Sequence, residues 1–155
     1  MLALPALAAE MYNDDAHGFD LSIPAGWTAQ KWDADNIALK VASPDGLDAG
    51  GLYVLVYPVQ GRSLDGYADA MRKFILNDMN GKVISDSRMV ISGRPAVRIV
   101  YEGKGINYVQ GERRYMRAVV FGDHHIYVIH GVAVPEMFDN YNEAFGKMID
   151  SFQLR

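Results

Sequence analysis

Three histidines and an aspartate near one another are the residues whose chemistry stands out first. His124, His125 and His130 follow Asp123 closely, and imidazole and carboxylate groups are common ligands of metal ions. In a strand, His124 and His125 would point to opposite faces, and His124 and His130 would lie roughly 20 Å apart. One interpretation is a metal site at a hairpin tip that uses Asp123 with one histidine. The other is a polar hairpin end, with His130 hydrogen-bonded at a sheet edge.

Templates for other catalytic chemistry do not fit the sequence. The chain has no cysteine, which excludes thiol catalysis and cysteine-ligated zinc. No serine lies in the Gly-x-Ser-x-Gly motif of α/β-hydrolases, and Gly103-Lys104-Gly105 lacks the spacing of a phosphate-binding loop. The sequence therefore predicts a protein that is not an enzyme and needs no cofactor. The alternative is a small metal-dependent hydrolase with its site near residues 122–125.

A second group consists of arginines on two β-like segments that are predicted to be neighbours. Arg113, Tyr115 and Arg117 share one face of their segment by strand alternation. Arginine and tyrosine are enriched at protein interfaces, and arginine also binds carboxylates and phosphates. We therefore identify Arg98, Arg113, Tyr115 and Arg117 as partner-binding candidates. The alternative is a solvated strand whose arginines pair with local acidic residues such as Glu102.

Hydrophobic periodicity indicates which elements position these residues. Apolar residues at three- and four-residue steps predict a helix over 63–79 with Ser63 as its N-cap, and a final helix that begins at Pro135. The unbroken apolar run 52–57 is typical of a central strand that is buried on both faces. Because strands and helices do not alternate, the sequence predicts a single α+β domain, an antiparallel sheet packed with two main helices.

Composition and the first residues bear on the class of protein and its compartment. The chain has 155 residues and a formal charge of −4, which argues against a nucleic-acid partner. Its start is apolar, too short to span a membrane, and contains Ala6-Leu7-Ala8, the small-x-small pattern of a signal-peptidase site. We interpret residues 1–9 as a signal-peptide remnant and residues 10–155 as the folded domain. The predicted location is periplasmic or secreted.

One segment carries a resemblance to a known family. Residues 18–27 alternate as a strand that stops at Pro24 and Gly26, after which Trp27 begins the next strand. A strand ending in Ile-Pro-x-Gly-Trp resembles the PsbP/Mog1-like family, which includes DcrB-type bacterial envelope proteins. The segments 93–96 and 149–152 add to this resemblance. It implies a central antiparallel sheet between helices, closed by the last helix, and it transfers no catalytic residue.

These observations together predict a non-enzymatic, exported binding or accessory module of the bacterial envelope. The module would recognise an unidentified protein or small ligand through a sheet face or through the loops 43–51 and 103–111. A third interpretation is an oligomer that assembles through the run 52–57 or another apolar edge, because the sequence does not define the oligomeric state.

Overall fold

Ten strands and two α-helices form in the part of the chain that the computed structural model describes, residues 9–105 and 111–155. The predicted signal-peptide remnant lies outside these residues except for Ala9. The strands are β1 (Glu10–Asp14), β2 (Phe19–Ile23), β3 (Thr28–Ala34), β4 (Ile37–Ala42), β5 (Gly50–Pro58), β6 (Lys82–Ile91), β7 (Arg94–Lys104), β8 (Glu112–Phe121), β9 (His125–Ala133) and β10 (Gln153–Leu154). The helices are α1 (Leu64–Asn77) and α2 (Phe138–Ser151), and a 3-10 turn (Pro135–Met137) precedes α2.

The strands build two antiparallel sheets. Seven of them form the main sheet in the order β3-β4-β5-β9-β8-β7-β6, and every neighbouring pair in it is antiparallel. β1, β2 and β10 form a small sheet with β2 in its centre. The predicted antiparallel α+β architecture with two main helices is confirmed.

α1 covers one face of the main sheet, which we call the α1 face. Its buried stripe, Ala68, Met71 and Ile75, packs against β6, β7 and β8. Ser63 is the N-cap as predicted, because its Oγ accepts the Gly66 N–H at 3.0 Å. The helix ends at Asn77, two residues earlier than predicted.

α2 and the small sheet cover the opposite face, which we call the α2 face. α2 packs against β2, β5, β8 and β9. It begins at Phe138 and not at Pro135, because the chain first tightens into a 3-10 turn in which the Met137 N–H donates to the Val134 carbonyl at 3.0 Å. Gly131 in β9 lets the helix approach closely, since a Cβ there would lie 2.7 Å from the Phe145 ring.

β5 is buried on both faces, as its unbroken apolar run predicts. Leu52 and Val54 belong to the core on the α2 face, while Tyr53 and Leu55 belong to the core on the α1 face. β5 pairs with β4 on one side and β9 on the other, so an assembly through the run 52–57 is wrong. The edges of the main sheet are β3 and β6.

The chain end joins the small sheet, which the sequence did not indicate. β10 follows α2 and pairs with β2, and the Leu154 N–H donates to Ser92 Oγ at 2.9 Å. Arg155 forms ion pairs with Asp15 at 2.7 Å and with Asp20 at 3.1 Å. The residues after α2 are thereby fixed against the β1–β2 segment and the β6–β7 hairpin.

Candidate binding face

The structure brings three of the four predicted partner-binding residues to one face of the sheet. Arg113, Tyr115 and Arg117 alternate along β8 on the α1 face, where Tyr115 belongs to the buried core. Arg98 is directly opposite Ala118 in the β7–β8 register, and Ala118 belongs to the core on the α2 face. β7 and β8 are neighbours as predicted, but Arg98 lies on the other side of the sheet from the remaining three.

Tyr115 is a buried member of an aromatic stack and is only 2% exposed. Its ring stacks on Tyr101 with centroids 4.7 Å apart and on His130 with centroids 5.2 Å apart. The Tyr101 hydroxyl is 3.0 Å from His130 Nε2, within hydrogen-bonding distance. Tyr115 therefore belongs to the buried layer of this face. Arg113 and Arg117, on either side of it along β8, are more exposed. Whether these residues bind a partner stays a prediction.

A row of polar side chains crosses the α1 face at the level of Arg117. The strand registers place Lys40 opposite Tyr53, Tyr53 opposite His130, and His130 opposite Arg117. Residues directly opposite one another in antiparallel strands project to the same face. We call Lys40, Tyr53, His130 and Arg117 the polar row. It crosses the apolar core that lies on this face.

Arg117 sits where the polar row meets α1. One terminal guanidinium nitrogen is 3.3 Å from Met71 Sδ, and the guanidinium also hydrogen-bonds Tyr101. Arg117 is half-buried, as is Arg113, which donates to its neighbour's carbonyl, Glu112 O, at 2.9 Å. The structure thus holds two fixed cations on one strand, with the Tyr115 ring between them.

The buried groups of this face are held in their neutral forms. Burial lowers the pKa of His130 well below its ordinary value, and the nearby positive charge of Arg117 acts in the same direction. Burial raises the pKa of Tyr101 and of Tyr115. Because these rings are uncharged at neutral pH, the guanidinium of Arg117 is the charged group beside them, and guanidinium groups bind carboxylates and phosphates.

A recess runs along α1 beside this row. Its volume is about 580 Å³, and its walls include Tyr67, Met71 and Phe74 from one side of the helix and Arg62 before it. Tyr67 makes an edge-on contact with Phe121 of β8, with centroids 6.4 Å apart. Met71 also contacts Arg117, so this side chain joins the recess to the polar row.

The alternative interpretation is a solvated strand whose arginines pair with local acidic residues. It describes Arg114, another residue of β8. Arg114 lies on the α2 face and pairs with Glu102 at 3.0 Å, and Lys82 reaches the same carboxylate at 3.1 Å. These hydrogen bonds, from Arg114 and then from Lys82, lower the pKa of Glu102. The local acid Glu102 therefore pairs with Arg114 and Lys82.

The histidines near the β8–β9 hairpin do not come together. His124 and His125 are exposed at the turn, and Asp123 there pairs with Arg94 at 3.2 Å. His130 is buried in the middle of β9, which is a central strand, so its predicted place at a sheet edge is wrong. Across residues 9–105 and 111–155, no group of three or more His, Asp or Glu side chains is arranged to hold a metal ion.

Sequence reasoning missed the polar row because its members come from two strand pairs, β4–β5 and β8–β9, that are far apart in the chain. One signal could have placed His130. It lies inside the run Ile-Tyr-Val-Ile-His-Gly-Val-Ala, whose apolar residues are typical of a strand covered on both faces. The predicted loop 43–51 contacts α2 through a hydrogen bond from Tyr141 to Asp45. Most of the other predicted loop, 106–110, lies outside the described residues.

Comparison with known proteins identifies the fold. No protein-family model matches the sequence, and no curated protein matches it. The structure is similar to cyanobacterial PsbP (CyanoP) from Synechocystis, with a TM-score of 0.71 at 15% identity over 96% of this chain and 93% of that chain. It is also similar to LpqN, a protein involved in cell envelope biogenesis of Mycobacterium tuberculosis, with a TM-score of 0.72 at 10% identity over 94% and 90% of the two chains.

A third similar structure is PA94 from Pseudomonas aeruginosa, with a TM-score of 0.62 at 12% identity over 96% of this chain and 98% of that chain. At these identities the similarity concerns the fold alone, and the fold is PsbP-like. The finer resemblance to DcrB-type envelope proteins stays a prediction. Neither α1 nor α2 is long and apolar enough to cross a membrane, and they are the only α-helices in the described ranges.

Proposed function

We propose that this chain is a non-enzymatic, exported binding or accessory module of the bacterial envelope that recognises an acidic group of a protein or small ligand through its α1 face. The observation that carries the proposal is the polar row, with Arg117 and Lys40 as its fixed positive charges. Arg113 adds a third positive charge on the same face.

The charge of the whole chain makes this face distinctive. The formal net charge is −4, so Lys40, Arg113 and Arg117 on one face of the sheet are opposite in sign to the chain as a whole. Such a difference in sign attracts an anionic partner to one place on the surface and repels it elsewhere. Lys40 is held over the Trp32 ring, with Nζ 3.5 Å from the ring centroid, and Arg117 is held against Met71 Sδ at 3.3 Å, which lowers the entropy lost on binding.

Three further observations support a role in the envelope and a function other than catalysis. The apolar start with its small-x-small pattern is typical of an exported chain. LpqN, which shares the fold, is involved in cell envelope biogenesis in its own organism. His130 and Tyr115 are only 5% and 2% exposed, so these titratable groups lie away from a ligand on the surface, which supports binding over acid–base chemistry on this face.

The proposal is tested by capture of partners from envelope extract with immobilised protein. Arg113→Glu and Lys40→Glu each reverse one charge of the face, and we expect each to reduce capture about tenfold, the loss of roughly 1.4 kcal/mol. Lys147→Glu makes the same charge change at an exposed position of α2 and should leave capture unchanged. Equal capture by all variants, at unchanged melting temperature, would contradict the proposal.

A further inference from the structure

The edge strand β6 has a concentration of exposed apolar side chains. Four large hydrophobic residues are strongly exposed in the described part of the chain, and two of them, Ile84 at 46% and Val90 at 69%, lie on β6. A third, Leu76 at 57%, lies on α1 one turn after Arg72, which pairs with Asp86 of β6. An edge strand also presents backbone groups that no neighbouring strand uses.

The hairpin between β6 and β7 defines which backbone groups of β6 point outward. Ile91 and Arg94 are opposite one another, and the two residues between them have positive φ, 53° at Ser92 and 73° at Gly93. Such a two-residue turn is closed by a hydrogen-bonded pair. Bonded and non-bonded pairs then alternate, so Asp86, Arg88 and Val90 direct their N–H and C=O groups away from β7.

Pro95 agrees with this assignment. It lies opposite Val90, at a pair that exchanges no backbone hydrogen bonds, where a proline removes nothing from the ladder. The outward-facing edge of β6 therefore consists of Asp86, Arg88 and Val90, preceded by a bulge between Val83 and Ser85.

We propose that a second copy of this chain pairs with β6 antiparallel, about a twofold axis at Ser87. In this register, Asp86 of each copy lies opposite Arg88 of the other, and the outward N–H and C=O groups of both residues form the backbone hydrogen bonds. Val90 of each copy comes next to the bulge at Ile84 of the other, so the exposed apolar residues flank the ion pairs at both ends. The main sheets of the two copies become one continuous sheet.

The neighbouring registers, with the axis at Asp86 or at Arg88, would place that residue opposite its own copy, two like charges. The next registers in each direction are also less favourable. An axis at Ser85 would place Arg88 opposite Lys82, two like charges, and Asp86 opposite Ile84. An axis at Met89 would place Arg88 opposite Val90 and leave Asp86 opposite Ser92. Like charges directly opposite one another destabilise a strand pair, whereas opposite charges and apolar pairs stabilise it. Charge complementarity therefore selects the axis at Ser87.

The ion pairs that β6 already forms within one copy are compatible with the proposed pairing of two copies. Asp86 already pairs with Arg72, and Arg88 with Asp65, on the α1 face of the same chain. Across the twofold axis, these become a chain of alternating charges, Arg72, Asp86, Arg88 of the second copy and its Asp65. Charged side chains and bulges on edge strands disfavour indiscriminate pairing, so an edge of this kind admits a partner only in a complementary register.

Sedimentation of the full chain from about 10 µM to about 1 mM tests the proposal, since this range brackets the affinities of small interfaces. We expect a monomer–dimer equilibrium. Arg88→Asp and Asp86→Arg should each prevent association because each places like charges opposite one another. An equimolar mixture of the two variants should restore association, because every facing pair in the mixed dimer is again complementary.

Two further variants show whether a loss of association comes from the change of charge in general or from the contact at β6. Lys147→Asp makes the same charge change as Arg88→Asp on exposed α2 and should leave the dimer intact. Val90→Pro removes an outward N–H without touching an ion pair and should prevent association while the chain stays folded. A monomer at every concentration, a dimer insensitive to Arg88→Asp, or a mixture that fails to associate would overturn the proposal. Binding of an extended peptide by a monomeric chain would also overturn it.

Discussion

At the scale of single residues, His130 shows how burial determines the chemistry of a side chain. Its ring stacks against Tyr115 and lies within hydrogen-bonding distance of the Tyr101 hydroxyl. Burial and the adjacent Arg117 lower its pKa, so the folded protein keeps the imidazole neutral at a pH where the unfolded chain takes up a proton. His130 therefore makes the stability of the protein depend on pH.

We predict that the free energy of unfolding falls as pH drops below about 6.5, where histidine in the unfolded chain begins to bind a proton. The unfolded state then binds more protons than the folded state, and this one group lowers stability by up to about 1.4 kcal/mol per pH unit. Replacing the imidazole in His130→Phe should flatten this part of the pH profile. Urea unfolding at pH 7.5, 6.0 and 5.0 measures the slope.

The control for this prediction is His124→Phe, which changes an exposed histidine at the hairpin turn. It should keep the slope of the wild type. If both variants keep that slope, His130 is not the group responsible, and the account of a neutral, buried imidazole is contradicted.

Sequence alone identified the residue types of the candidate face but not their surroundings. Strand alternation correctly placed Arg113, Tyr115 and Arg117 on one face, because alternation is a local property of the chain. It could not show that Arg98 lies on the other face, since that depends on the register between β7 and β8. The burial of Tyr115 depends on β7, β9 and α1 together, and no single segment contains that information.

At the scale of elements, close packing of α2 on β9 depends on a single glycine. A Cβ on Gly131 would come within 2.7 Å of the Phe145 ring, and Phe145 is fully buried between α2 and the sheet. The ring has no room to retreat, so either α2 or β9 would have to shift.

We predict that Gly131→Ala lowers the free energy of unfolding by about 1–3 kcal/mol, the usual cost of overpacking a core. The matched control is Gly146→Ala in α2, where an added Cβ meets nothing within 4 Å. Since alanine is the better helix former, the control should stabilise the protein by up to about 1 kcal/mol. Denaturant unfolding measures both changes, and a neutral Gly131→Ala would contradict the packing described.

The elements that could be predicted from the sequence are those with a strong local pattern. α1, with its cap at Ser63, and the central strand β5 lie within two residues of their predicted bounds, because periodicity and capping act within a few residues. β1 and β10 were not predicted. β10 has only two residues, and both strands are stabilised by pairing with β2, which lies far from β10 in the chain.

At the scale of the whole molecule, the two faces of the main sheet are covered to different extents. The α2 face is covered by a helix and a small sheet with an aromatic core. The α1 face carries the polar row and the recess beside α1. This asymmetry is the structural reason for placing recognition on the α1 face.

Export concerns the location of the whole molecule. Because Ala6-Leu7-Ala8 fits the pattern read by signal peptidase, we predict that the mature protein begins at Ala9 or nearby. N-terminal sequencing of protein recovered from the periplasm or the medium measures the cut. Recovery of exported protein with Met1 intact would contradict the interpretation of residues 1–9.

The central claim, recognition through the α1 face, is tested most directly by photo-crosslinking inside the bacterial envelope. A benzoylphenylalanine placed at Gln30, which is exposed and opposite Lys40 in register, samples the outer end of the polar row. The same probe at Asn140, exposed on α2, samples the other side of the molecule. We predict adducts from position 30 that Arg113→Glu abolishes, and none from position 140. Adducts from position 140 alone, or adducts at position 30 that are unchanged by Arg113→Glu, would contradict the account.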